Sequence, residues 1–201
     1  MAEHGFSIAI VIFPGVEELD FVGPWEVFTM AKLLGAGLAV FTVGWPEKRV
    51  TCGKGMVVEA THSWAERPRA NAVIIPGGKG TRTLVKEEAF LSELRSYMAE
   101  GNWHVSVCTG AAILGEIGFL EGRRATTNRS AIDFVRSHAP RTEFLQDERY
   151  VIDSGVVTSA GVSAGIDMSL WLLGHLFGQE TARNTQRAME YYPEPPYGTT
   201  R

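Results

Sequence analysis

At 201 residues the chain has the length of one domain of roughly 100–200 residues, and a second catalytic domain would not fit. An apolar fraction of 45% with a charged fraction of 21% excludes bulk disorder, because a chain of this composition can bury a full core. Nineteen basic against 23 acidic residues, with no basic run, exclude the cationic surface that a nucleic acid partner requires.

The amino terminus, Met1-Ala2-Glu3-His4-Gly5, lacks the basic flank and cleavage site of a secretory leader. The first predicted element follows it: Ser7-Ile8-Ala9-Ile10-Val11-Ile12-Phe13 reads as a strand buried on both faces, stopped by Pro14-Gly15. A loop holding Glu17-Glu18-Leu19-Asp20 leads to a helix predicted from Pro24, where Trp25, Val27, Phe28, Ala31 and Leu34 recur near every third or fourth position. Leu38–Trp45 is the next strand, and residues 50–59 alternate as a short hairpin. Ala72-Val73-Ile74-Ile75 is a buried strand ended by Pro76-Gly77-Gly78, with a helix over 84–98. His104-Val105-Ser106-Val107 is a further strand that runs straight through Cys108-Thr109-Gly110 into a helix over 111–117. A helix over 132–137, a hairpin over 150–159 and a long helix over 163–177 complete the series. The segment Tyr192-Pro193-Glu194-Pro195-Pro196-Tyr197 cannot continue a helix and is expected as an extended strap or loose end.

This alternation predicts a doubly wound α/β domain, a mostly parallel sheet with helices on both faces, occupying residues 1–201 with its core at about 6–190. Right-handed crossovers put every strand-to-helix loop on one edge of the sheet, where ligands bind in such folds. Three of those loops bring an acid, a glycine-rich backbone and a thiol to that edge. Cys108, between strand and helix, belongs on a sharp turn, with its sulfur beside unpaired N–H groups that can lower a thiol pKa. The alternative is a small inert side chain at a strand–helix junction. Asp20 can hold a proton beside a thiolate and deliver it to a substrate, or can simply tie up backbone amides before the helix. The amides of Gly77 and Gly78, with that of Thr109, can face developing negative charge, or the glycines can serve only a tight turn.

Other chemistries find little support. Gly77-Gly78-Lys79-Gly80-Thr81 lacks the Gly-Lys-Ser/Thr of a phosphate loop. Two cysteines cannot build a disulfide framework and make no zinc spacing with the five histidines, so no metal is expected, and Cys52 reads as incidental. His62, His104, His138 and His175 lie outside the three loops, so none reads as a general base. No stretch is long and apolar enough for a membrane span, so a soluble protein is expected, and the two cysteines suit a reducing cytoplasm; a small molecule is the expected partner.

At this point the chain resembles the ThiJ/PfpI superfamily, and within it the isonitrile hydratases. The likeness rests on Phe13-Pro14-Gly15-Val16 leading to Leu19-Asp20, on Ile75-Pro76-Gly77-Gly78, on Cys108-Thr109-Gly110, on Gly122-Arg123-Arg124-Ala125-Thr126-Thr127, and on Gly161-Val162-Ser163-Ala164-Gly165. It implies a flavodoxin-like three-layer fold, a homodimer, and no cofactor. It also implies Cys108 as nucleophile, Asp20 as proton carrier, Thr109 at the same site, and Gly77, Gly78 and Asn128 beside the substrate. Cys-Thr with Asp matches the hydratases, whereas the protease-like and glyoxalase-like relatives place His after the cysteine and use Glu. The sequence departs from the hydratases at Asn128-Arg129, where they carry His-Trp. Two other readings stay open: a hydrolase, glyoxalase or deglycase using the same thiolate, and a cysteine redox or ligand sensor like the input half of regulators. Those regulators carry a DNA-binding region beyond this fold.

Overall fold

In the computed structural model residues 5–194 and Tyr197 are described. Residues 1–4, 195, 196 and 198–201 lie outside the described residues, and with them part of the segment 192–197 expected as a strap or loose end. The elements in chain order are β1 Phe6–Ile12, α1 Glu18–Leu33, β2 Leu38–Gly44, β3 Arg49–Thr51, β4 Val57–Glu59, β5 His62–Ser63, β6 Ala72–Ile75, α2 Thr81–Leu84 and α3 Glu88–Ala99. They continue with β7 Trp103–Val107, α4 Gly110–Glu116, β8 Arg124–Ala125, a 3-10 turn Arg129–Ala131, α5 Ile132–His138, β9 Glu143–Phe144, β10 Tyr150–Asp153, β11 Val156–Ser159, α6 Ala164–Phe177 and α7 Gln179–Ala188.

Seven strands form one sheet in the order β10-β11-β7-β6-β1-β2-β5. Every pairing in it is parallel except β10 with β11, the hairpin that closes one edge. The strands β1 and β6 are apolar and β-branched because both of their faces are covered, and residues Ile8–Phe13 and Ala72–Ile75 are almost wholly shielded from solvent. Helices α1, α6 and α7 pack together as one layer, and α2, α4 and α5 as another. Burying a side chain such as Phe13, Phe28 or Phe90 in this core contributes about 2–3 kcal/mol each. Among the described residues no helix is long and apolar enough to cross a membrane.

Three details differ from the sequence reading. Helix α1 begins at Glu18 rather than Pro24, so Asp20 stands on its first turn and not in a loop. The acidic residues Glu18 and Asp20 suit the positive end of a helix, and Pro24 is accommodated inside it, leaving only the Asp20 carbonyl without its N–H partner one turn on. The helix expected over 84–98 is two helices, α2 and α3, broken at residues 85–87. Helix α7 carries too little apolar surface to stand out by periodicity and was not expected; it packs on α1 and α6.

Candidate active site

The carboxyl ends of β1, β6 and β7 meet at one edge of the sheet, and backbone hydrogen bonds stitch their loops together. Glu17 N–H donates to Gly77 O at 2.9 Å, Gly80 N–H to Gly15 O at 3.1 Å, and Val16 bridges Gly78 in antiparallel fashion. Cys108, directly after β7, has φ of +56°, a left-handed conformation rare for a residue with a side chain. This is the sharp turn expected from the strand–helix junction, built as in a nucleophile elbow. Its N–H donates to Ser159 O at 3.0 Å, and its carbonyl accepts from Thr127 Oγ1 at 2.7 Å, so strain in the turn is held from two sides. The residue is 7% exposed.

Asp20 is fully buried, and its Oδ2 accepts from Gly77 N–H at 3.0 Å. Its carboxyl lies against the Cys108 thiol and the Val162 N–H, both close enough to favour the charged form. Oδ1 has no hydrogen bond of full geometry. Burial dominates and lifts the Asp20 pKa to about 6. For Cys108, burial and then the Asp20 carboxylate push the thiol up to about 12, against the Thr109 N–H and the Asn128 side chain, which favour the thiolate. The sequence expectation of a thiolate lowered by the helix terminus is thus corrected: one short helix end does not offset burial together with a facing carboxylate. The resting pair is a thiol beside a carboxyl that ionises near pH 6.

Of the two readings open for the glycines, the tight turn is the one seen, with Gly78 at φ of +119°. Gly77 N–H is committed to Asp20 and Gly78 N–H to Thr109 Oγ1 at 3.0 Å, so neither amide is free for an oxyanion. Gly77 is needed for space instead: a Cβ there would lie 2.6 Å from Thr109 N, 2.7 Å from Thr109 Oγ1 and 2.8 Å from Asp20 Oδ2. The Thr109 hydroxyl also meets Thr81 Oγ1 at 3.1 Å, which ties it to the glycine loop. The Asn128 side chain lies near enough to the thiol to favour its ionised form, whereas Arg129 turns outward onto Gln146 O and Asp147.

A cavity of about 310 Å³, lined among others by Arg149, Ala160 and Gly161, shares Asn128 and Val162 with this site, while Cys108 and Asp20 do not line it. A larger groove of about 560 Å³ beside Trp171 and His175 includes none of the residues that touch Cys108 or Asp20. Cys52 is buried in the β3–β4 turn, where burial and then Glu18 raise its pKa. His104 packs on Phe119 at 4.0 Å and His175 stacks on Trp171, so neither serves the thiol. Thr127 and Val162 escaped the sequence reading of the site; the left-handed turn at Cys108 is the signal that something must grip its carbonyl.

An α/β sheet with a cysteine on a strained turn after a central strand and a buried acid one loop away defines a cysteine-and-acid protein of the doubly wound class. The chain belongs to the DJ-1/PfpI family, whose model matches residues 6–174. It is 34% identical over 191 residues to an isonitrile hydratase from Pseudomonas putida, covering 95% of this chain and 81% of that protein. A ThiJ/PfpI family protein from Pseudomonas syringae has a similar solved structure, with a TM-score of 0.86 and 30% identity, covering 96% of this chain and 78% of that one. The chain is also 29% identical to the HTH-type transcriptional regulator CdhR from Pseudomonas aeruginosa, spanning 86% of this chain and about half (51%) of the regulator.

Proposed function

We propose that the protein is an enzyme that hydrates an isonitrile to an N-substituted formamide, with Cys108 as nucleophile and Asp20 as the carrier of protons. The observation that supports this reading most is the direct apposition of a buried carboxyl ionising near pH 6 and a protonated thiol. In the first step the Asp20 carboxylate accepts the thiol proton as sulfur attacks the terminal isonitrile carbon. Asp20 then returns that proton to the same carbon, leaving a thioimidate, R–N=CH–S–Cys108. Water adds across the C=N bond, aided by Asp20, and collapse of the tetrahedral adduct expels Cys108 as a thiol and releases R–NH–CHO. Atoms balance with one water and no redox change, so no cofactor is invoked.

In this reading Thr109 N–H meets charge on sulfur, Gly77 keeps Asp20 in place, and Gly78 positions the Thr109 hydroxyl. The small cavity that shares Asn128 and Val162 with the site receives the substituent R. A cytoplasmic homodimer is proposed with it; both thiols are free, and Leu19, Met56 and Val57 are exposed apolar side chains available to an interface. Infrared loss of the isonitrile stretch over a small substrate panel tests the function: turnover by wild type and none by Cys108→Ala is expected, and conversion of methylglyoxal to lactate instead would favour the glyoxalase reading. The regulator relative favours a sensor as second reading, but a thiol held near pKa 12 weighs against fast peroxide chemistry.

A further inference from the structure

The amide of Asn128 has only one orientation open to it. Its backbone, at φ −59° and ψ 127°, caps the 3-10 turn, and its Oδ1 accepts from Ser130 N–H at 2.9 Å and from Ser130 Oγ at 2.7 Å. A backbone N–H can only donate, so the atom facing it must be the oxygen. The NH2 group is therefore turned away from Ser130 and toward Gly161, and the side chain lies near enough to Cys108 to favour its thiolate, without a resting hydrogen bond to the sulfur. It passes so close to Gly161 that a Cβ at that position would lie 2.2 Å from Nδ2. The preceding residue, Thr127, holds the Cys108 carbonyl at 2.7 Å, which fixes the whole segment against the elbow.

We propose that Asn128 is a further catalytic residue: Ser130 locks its amide and Gly161 makes room for it, so that it donates a fixed hydrogen bond to the sulfur as charge develops there. The proposal rests on Cys108 being the nucleophile and not on which substrate it attacks. When the thiol proton moves to Asp20, the growing charge meets two donors, Thr109 N–H and Asn128 Nδ2. The titratable group facing the sulfur from the α1 side is Asp20; Arg129 is engaged with Gln146 and Asp147, and among the described residues no other charged side chain shifts the thiol. An imidazole at position 128 would titrate between about pH 5 and 8 and add a second ionisation to the site. An amide does not, so proton traffic runs through Asp20 alone.

The test is alkylation by iodoacetamide over pH 7–10, read separately at Cys108 and Cys52 by peptide mass spectrometry, on wild type and on folded Asn128→Ala, Asn128→Asp and Ser130→Ala. Asn128→Ala is expected to slow Cys108 about tenfold at each pH, the equivalent of a one-unit rise in thiol pKa. Ser130→Ala should slow it less, and Asn128→Asp more, since a second carboxylate then faces the sulfur; Cys52 should not change. Gly161→Ala should act like Asn128→Ala by displacing the amide. If Asn128→Ala does not fold, the Ser130 and Gly161 variants carry the same expectation. Unchanged Cys108 rates in these variants, or wild-type reactivity in Asn128→Asp, would overturn the proposal. Loss of isonitrile turnover in the wild type, with the alkylation shifts intact, would remove the hydratase reading and leave this one standing.

Discussion

The carboxyl of Asp20 and the thiol of Cys108 share one buried pocket, and each alters the other's protonation: the carboxylate raises the thiol, while the thiol favours the ionised carboxyl. The pair holds its proton on sulfur at neutral pH and has a carboxylate ready to receive it.

Asp20→Asn follows from this pairing. The folded pKa of Asp20 lies near 6, above the unfolded value of 3.8, so the folded state binds more protons between those limits and loses stability as pH rises through them. Above pH 6 the buried charge costs up to about 3 kcal/mol. Asp20→Asn should therefore melt a few degrees higher than wild type at pH 7.5, with the difference gone by pH 4, while turnover falls at least about 100-fold. Calorimetry at the two pH values with a rate assay reads both effects; a lower melting temperature at pH 7.5 would contradict the buried-charge assignment.

The pH–rate profile has a definite shape. Protonated Asp20 cannot accept the thiol proton, so kcat/KM should rise with unit slope to a plateau through an apparent pKa near 6 and stay level beyond pH 9. A profile that falls through pH 6 would mean that the protonated carboxyl is the working form.

Gly77→Ala should be severe. Its Cβ would come within 2.6–2.8 Å of Thr109 and of Asp20 Oδ2, contacts that must be relieved by moving the acid or the turn. The expected cost is about 1–3 kcal/mol in a denaturant midpoint, together with loss of most activity.

Much of this arrangement is legible in the sequence because the elements that position it are strongly patterned. The buried runs of β1, β6 and β7 each end in Pro-Gly, Pro-Gly-Gly or Cys-Thr-Gly, which places three loops on one edge before any coordinate is known. Element boundaries are less legible where local signals compete: Pro24 reads as a helix start, yet the acidic first turn and the bridge to the Gly77 loop begin α1 six residues earlier. The ionisation of Cys108 is not legible at all, since helix-end polarity is visible in a sequence and burial beside a carboxylate is not. For the same reason the sequence leaves an oxyanion role and a tight turn both open for the glycines, and only the coordinates show their amides committed to Asp20 and Thr109.

Thr127→Val removes the shorter of the two hydrogen bonds to the Cys108 carbonyl and leaves it only the 3.3 Å bond from Ala111 N–H. About 0.5–1.5 kcal/mol of stability should be lost, with a larger drop in kcat than rise in KM, because the elbow and not the substituent pocket is disturbed. Steady-state kinetics beside a urea melt separates the two.

The most direct measurement is acid quench of the enzyme during turnover of an isonitrile, with peptide mass spectrometry of the trapped species. A mass increase equal to one isonitrile, confined to Cys108, is expected, together with N-substituted formamide in solution and neither product in Cys108→Ala. Full formamide production by Cys108→Ala, or an unmodified Cys108 while wild type turns over, would contradict the account.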